Sequence, residues 1–143
     1  MKRYKQLKIL TKGDALCYII SHLVLRGNME RTKYGRELLK GNTDSLILSL
    51  IGHQPMYGYQ LIKEMEKRSG GYFQFREGTL YPALHRMEGE GLIAGKWEQL
   101  PSGQERRYYH LTEKGHRVLN EKLAVWRSFS AAVNLIIEPA TSA

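Results

Sequence analysis

The feature that most restricts the fold is the last periodic run of the chain, from Thr112 to Ile137. Thr112 is a suitable N-cap, Pro139 supplies a stop, and Leu119, Trp126 and Val133 recur every seven residues, as do Leu123, Ser130 and Ile137. Val118, Val125, Phe129, Ala132 and Ile136 widen this seam, and Ser128 to Ile137 carries no charge. On a monomer such a stripe leaves on the order of several hundred Å² of apolar surface uncovered. The chain, at 143 residues, is about one domain long. The helix is therefore expected to need a partner, most simply a second copy of itself.

Upstream, Asn42-Thr43-Asp44 offers a cap and N-terminal negative charge for a helix through Leu46, Ile47, Leu50 and Ile51, stopped by Gly52 and Pro55. A second helix, roughly Tyr57 to Arg68, turns Leu61, Ile62 and Met65 inward and ends before Gly70-Gly71. A third, about Glu77 to Glu90, places Leu80, Leu84 and Met87 on one face and Thr79, Tyr81, His85 and Arg86 on the other. Pro82 falls in its first turn or two, where a missing amide is tolerated, and Gly91 follows its end. Two strand-like runs, Ile93 to Leu100 and Arg106 to Leu111, flank the turn Pro101-Ser102-Gly103-Gln104. Three helices and a ribbon is the order of a winged helix. The expected fold class is mainly α with a small β-ribbon, a winged helix-turn-helix over residues 36–111 followed by a long C-terminal dimerisation helix over 112–138 and a tail over 139–143.

Lys and Arg outnumber Asp and Glu 22 to 14, giving a net charge of +8 and favouring a polyanionic partner, nucleic acid or an anionic membrane surface. Much of the unexplained basic charge lies in an N-terminal extension, residues 1–35. One helix over Asp14 to Arg26 fits that segment, and so does disorder. A third reading makes Met29 the true start, because Arg26-Gly27 can be encoded by a purine-rich run that recruits ribosomes. The apolar stretch Ala15 to Leu25 is interrupted by His22, lacks a small-x-small cleavage site and is about half the length of a membrane span, so neither a signal nor a membrane partner is expected. Cys17 is the single cysteine, which excludes an intrachain disulfide and suits a reducing cytoplasm.

Several motifs stand together: Pro55-Met56-Tyr57-Gly58-Tyr59; Glu77-Gly78-Thr79-Leu80-Tyr81-Pro82-Ala83-Leu84-His85-Arg86-Met87-Glu88; Glu90-Gly91-Leu92-Ile93; and Arg106-Arg107-Tyr108-Tyr109 with Leu111-Thr112 and Gly115. Over about Leu39 to Ile137 this string resembles the PadR family of transcription regulators, and the short C-terminal part resembles its smaller class, in which one helix mediates dimerisation. The resemblance implies a homodimeric, cytoplasmic, sequence-specific regulator, in the first instance a repressor. Residues 1–35 depart from the family pattern.

Within that frame, Arg86 and His85 can donate to a guanine edge in the major groove, Thr79 can bond either way, and Tyr81 can stack on a sugar or bond a phosphate. Tyr57 and Tyr59 stand at the start of the second helix, where amides and dipole favour a phosphate, with Lys63 in reach of the same strand. Ser102, Gly103, Gln104, Arg106 and Arg107 form a basic tip for the minor groove, although alternation sends the two arginines to opposite faces. For each there is a plainer reading, a half-buried tyrosine or a solvated charge. Leu119, Leu123, Trp126, Phe129, Val133, Ile136 and Ile137 are assigned to the dimer seam, where the resemblance implies that an aromatic can line a pocket for a flat apolar effector; Trp126 can equally be a packing residue.

An enzyme is disfavoured: His53, His85, His110 and His116 have no metalloprotease spacing, Cys17 has no neighbouring base, and no glycine-rich phosphate loop follows a strand. No catalytic residue, metal or cofactor is expected. A winged helix that binds only an acidic protein partner, and a leader that touches membrane surfaces, stay as rival readings.

Overall fold

The computed structural model describes residues 33–138; the expected leader helix, Cys17, the Met29 start and the tail lie outside them. Helix α1 spans Lys33–His53, strand β1 Met56–Tyr57, α2 Gly58–Arg68, α3 Glu77–Gly89, β2 Ile93–Gln99, β3 Glu105–Leu111 and α4 Glu113–Ile137. This is the winged helix, mostly helical with a small antiparallel sheet and a C-terminal helix. Ile47, Leu48, Ile51 of α1, Leu61 and Met65 of α2, and Leu80, Leu84 and Met87 of α3 interlock into one core, closed by Met56, Ile93 and Tyr109 of the sheet.

The first helix begins earlier than its capping residues suggest. Asn42 donates from Nδ2 to the Leu38 carbonyl at 2.8 Å and Thr43 from Oγ1 to the Leu39 carbonyl at 2.8 Å, so both bond back four residues inside a continuous helix. The stretch before them has helix-forming side chains and buries Leu39, which outweighs the local pull of an Asn-Thr-Asp cap. The ends of α3 and α4 follow their sequence signals. Gly91, at φ 74°, closes α3 with Leu92 N–H on the Met87 carbonyl at 2.9 Å and its own N–H on the Glu88 carbonyl at 3.0 Å. At the start of α4, Thr112 Oγ1 accepts from Gly115 N–H at 3.0 Å.

The sheet order is β1-β3-β2, with Met56 opposite Tyr109 and Tyr57 opposite Tyr108. A two-residue strand is too short to leave a periodic trace, and the expected second helix is correspondingly trimmed to start at Gly58. The pairing matters because it fixes the start of α2 against the root of the β2–β3 hairpin, the wing.

The seam expected along α4 divides. Leu119 is buried in the chain's own core, and Val118 and Leu123 pack against that core, so Leu119 does not serve the exposed seam. The physical reason is that the first turns of α4 lie along α1, which covers them. Beyond them Val125, Trp126, Phe129, Ile136 and Ile137 stand exposed, Ile136 at 81%, with Ser130 and Val133 partly covered.

Candidate nucleic-acid interface

On the outward face of α3, Thr79, Pro82 and His85 are exposed and Leu80, Ala83, Leu84 and Met87 anchor the opposite side in the core. Tyr81 is half-buried. A β-carbon on Gly58 would come within 2.5 Å of its hydroxyl and 2.6 Å of Cζ, so only glycine at the head of α2 lets this ring lie down between the two helices. Tyr57, half-buried in β1, meets Tyr108 edge-on at 5.4 Å and carries the Arg106 guanidinium over its ring at 4.4 Å. Tyr59 is 54% exposed, which removes the plainer reading of it as a half-buried tyrosine, and Lys63 Nζ lies 5.6 Å from its ring while also pairing with Glu66 at 3.6 Å.

Two arginines are tied up. Arg86 reaches Asp44 with Nη2 at 2.6 Å and Nη1 at 3.1 Å, and Nη1 also meets Glu90 at 3.3 Å. The Asp44 carboxylate holds this guanidinium above its ordinary value, chiefly through that hydrogen bond. Arg86 thus binds α3 to α1 and is not presented as a free donor beside His85. Arg107 places Nη2 2.6 Å from Glu88 Oε1 and stacks over Tyr109 at 5.5 Å. Ribbon alternation anticipates that Arg106 and Arg107 diverge; it does not reveal which acidic residue takes the inner one.

The hairpin tip closes with Leu100 N–H on the Gln104 carbonyl and Gly103 N–H on the Leu100 carbonyl, each at 2.8 Å, leaving Ser102, Gly103 and Gln104 exposed. Tyr57, Tyr81, His85, Arg106 and Arg107 converge on a concavity of about 360 Å³ that also takes in Trp97 and Glu105. Trp97, 64% exposed, was not among the sequence candidates. Its signal is position: opposite Arg107 in the register, it shares the face that α3 overlooks.

Elsewhere, Trp126 and Leu123 line a cavity of about 450 Å³ with Leu38, Leu39, Leu46, Tyr72 and Phe73. Among the described residues no cluster of His, Cys, Asp and Glu is arranged to hold a metal, and no helix is long and apolar enough to cross a membrane.

Comparison with known proteins agrees with this architecture. A PadR-like transcriptional regulator from Bacillus cereus is 36% identical, covers 71% of this chain and 97% of its own, and superposes with a TM-score of 0.66. A PadR family regulator from Eggerthella lenta is 32% identical over 88% of this chain and 98% of its own, with a TM-score of 0.62. A transcriptional regulator of Mycobacterium tuberculosis is 30% identical over 86 residues, 60% of this chain and 77% of the relative. The family description "Transcriptional regulator PadR-like family" matches residues 47–121, which run from the core of α1 through the wing into α4, and the chain belongs to that family of DNA-binding transcription regulators.

Proposed function

We propose that this chain is a sequence-specific repressor, not an enzyme, that binds a palindromic promoter operator as a homodimer in the cytoplasm. The observation that carries the reading is the convergence, on one concave face of a chain with net charge +8, of the outward side of α3, the head of α2 and the wing. In this reading Thr79, Pro82 and His85 enter the major groove, Tyr57, Tyr59 and Lys63 meet the flanking backbone, and Ser102, Gly103, Gln104 and Arg106 approach the minor groove. Residues 36–111 form the reading domain. The uncovered half of α4, from Val125 to Ile137, supports self-association in the manner of the smaller PadR class. A two-fold dimer sets half-sites about one helical turn, ~34 Å, apart.

The test is a gel shift of the purified protein on its own upstream promoter DNA, with unrelated competitor and graded salt. A discrete complex that survives competitor, with a log-log salt slope of roughly −5 to −9 for a dimer neutralising a handful of phosphates per subunit, is expected. Smeared, easily competed binding would instead support an adaptor that meets an acidic protein. The cavity beside Trp126 supports a further element, release by a flat apolar effector: its size lies within the usual range of small-molecule pockets and its walls are mostly apolar. Quenching of tryptophan fluorescence by planar aromatic compounds, accompanied by loss of the shifted band, is the corresponding measurement.

A further inference from the structure

We propose that Glu88 is a positioning residue that sets the angle between the reading helix and the wing. The inference rests on the DNA-binding reading and deepens it. Glu88 is the last residue but one of α3, only partly exposed, and a single oxygen, Oε1, accepts from both strands of the wing: from Gly95 N–H of β2 at 3.0 Å and from Arg107 Nη2 of β3 at 2.6 Å. Arg107 spends its charge on this contact. Its Nε is buried with no hydrogen-bond partner among the described residues, so the group is held by Glu88 and by the Tyr109 ring beneath it.

The surroundings are shaped for this contact. A β-carbon at Gly95 would run into the Arg107 guanidinium, so the strand opposite must be bare for the arginine to lie across it. Tyr109, opposite Gly95 in the register, is buried and forms the floor. A charge-assisted pair in so confined a place is short and directional. The wing tip lies well beyond this clamp, and a small rotation at the clamp moves the tip across the groove. Phosphate and minor-groove contacts at the tip then depend on a carboxylate that itself touches no DNA.

The sign of the effect separates this role from simple electrostatics. Removing a carboxylate from a DNA-facing surface ordinarily strengthens binding to a polyanion. Clamping requires the opposite. The experiment uses full-length wild type, Glu88→Ala, Glu88→Gln and Arg107→Ala with the duplex that wild type selects from a random-sequence pool, together with ¹⁵N relaxation of the wing amides without DNA. Glu88→Ala is expected to weaken binding about tenfold or more and to mobilise residues 93–111 while α3 keeps its order. Glu88→Gln, which retains an acceptor oxygen, is expected to stay within about threefold of wild type. Arg107→Ala is expected to weaken binding at an unchanged salt slope, whereas loss of a phosphate contact lowers the slope by about 0.9 per subunit. Binding by Glu88→Ala as tight as wild type or tighter, a lowered slope for Arg107→Ala, or wing relaxation identical to wild type in Glu88→Ala overturns the proposal. Failure of wild type to select any sequence sinks the DNA reading by itself, and the relaxation arm still decides the clamp.

Discussion

Gly115→Ala sets two well-measured effects against each other. In an ordinary helix interior the change stabilises by about 1 kcal/mol, because alanine loses less backbone freedom on folding. Gly115 is the third residue of α4 and is buried against the wing root, and a β-carbon there would collide with the Leu92 carbonyl oxygen and stand 3.0 Å from its carbon. That carbonyl cannot easily move aside. It accepts from Thr112 N–H at 3.1 Å and Thr112 Oγ1 at 3.2 Å, and the same hydroxyl caps Gly115 N–H. Either α4 stays and bears overpacking of about 1–3 kcal/mol, or its first turn backs away and forfeits the two Thr112 bonds and the cap, about 1 kcal/mol each. Both routes cost about 3 kcal/mol at their upper end. After the propensity gain the variant is expected to be about 2 kcal/mol less stable, a factor of roughly 30 in the unfolding equilibrium. Urea unfolding followed by circular dichroism, at one fixed protomer concentration, reads this as a midpoint lowered by roughly 1 M. An unchanged or raised midpoint refutes the reasoning, since helix propensity would then have decided the outcome.

Three further outcomes follow from particular contacts. Phe129→Glu puts a charge into the uncovered half of α4, where Phe129 is 56% exposed and lies 6.2 Å from the Trp126 ring, and sedimentation is expected to report a folded monomer with operator binding lost; a dimer that persists places the interface elsewhere. Burial holds the Tyr109 phenol above its ordinary value of 10.0, so the folded state stays neutral where the unfolded chain ionises. The contribution is whole below about pH 10 and fades as pH rises through the folded-state value, so Tyr109→Phe is expected to flatten the alkaline loss of stability in urea titrations above pH 10, and parallel curves for the two proteins contradict it. A double-mutant cycle on Asp44→Asn and Arg86→Ala is expected to show coupling of about 0.5–1 kcal/mol in stability, modest because the pair is half exposed; strict additivity would return Arg86 to the DNA-facing set.

The elements were legible because their signals are local. The positions of Leu80, Leu84 and Met87, the glycine at 91 and the threonine at 112 each act within one or two turns of their own chain segment, and α3, its end and the start of α4 lie where those residues place them. Where a local signal met a tertiary one, the tertiary one won: Asn42 and Thr43 have capping side chains, yet the helix runs through them and buries Leu39 against the core. The outward residues of α3 were legible for the same periodic reason.

Periodicity assigns a side chain to a face and says nothing of what waits there. His85 and Arg86 are neighbours on α3, and only the placement of α1 beside it, through contacts separated by 42 residues, brings Asp44 to the second and leaves the first exposed. Arg106 and Arg107 differ likewise by a single step along β3. That step sends one onto Tyr57 and the other to Glu88, a residue that from the sequence alone is one more acid near the end of a helix. A basic interface is therefore poorly described by its count of cations. Among the arginines of α3 and the wing, two hold α3 in place, to α1 and to the wing, and in the proposed reading DNA contact falls more heavily on the uncharged face of α3 and on the tyrosines at the head of α2. In the proposed reading such an interface should discriminate sequence and shape more sharply than its count of cations suggests, because Arg86 and Arg107 are spent on keeping its parts in register.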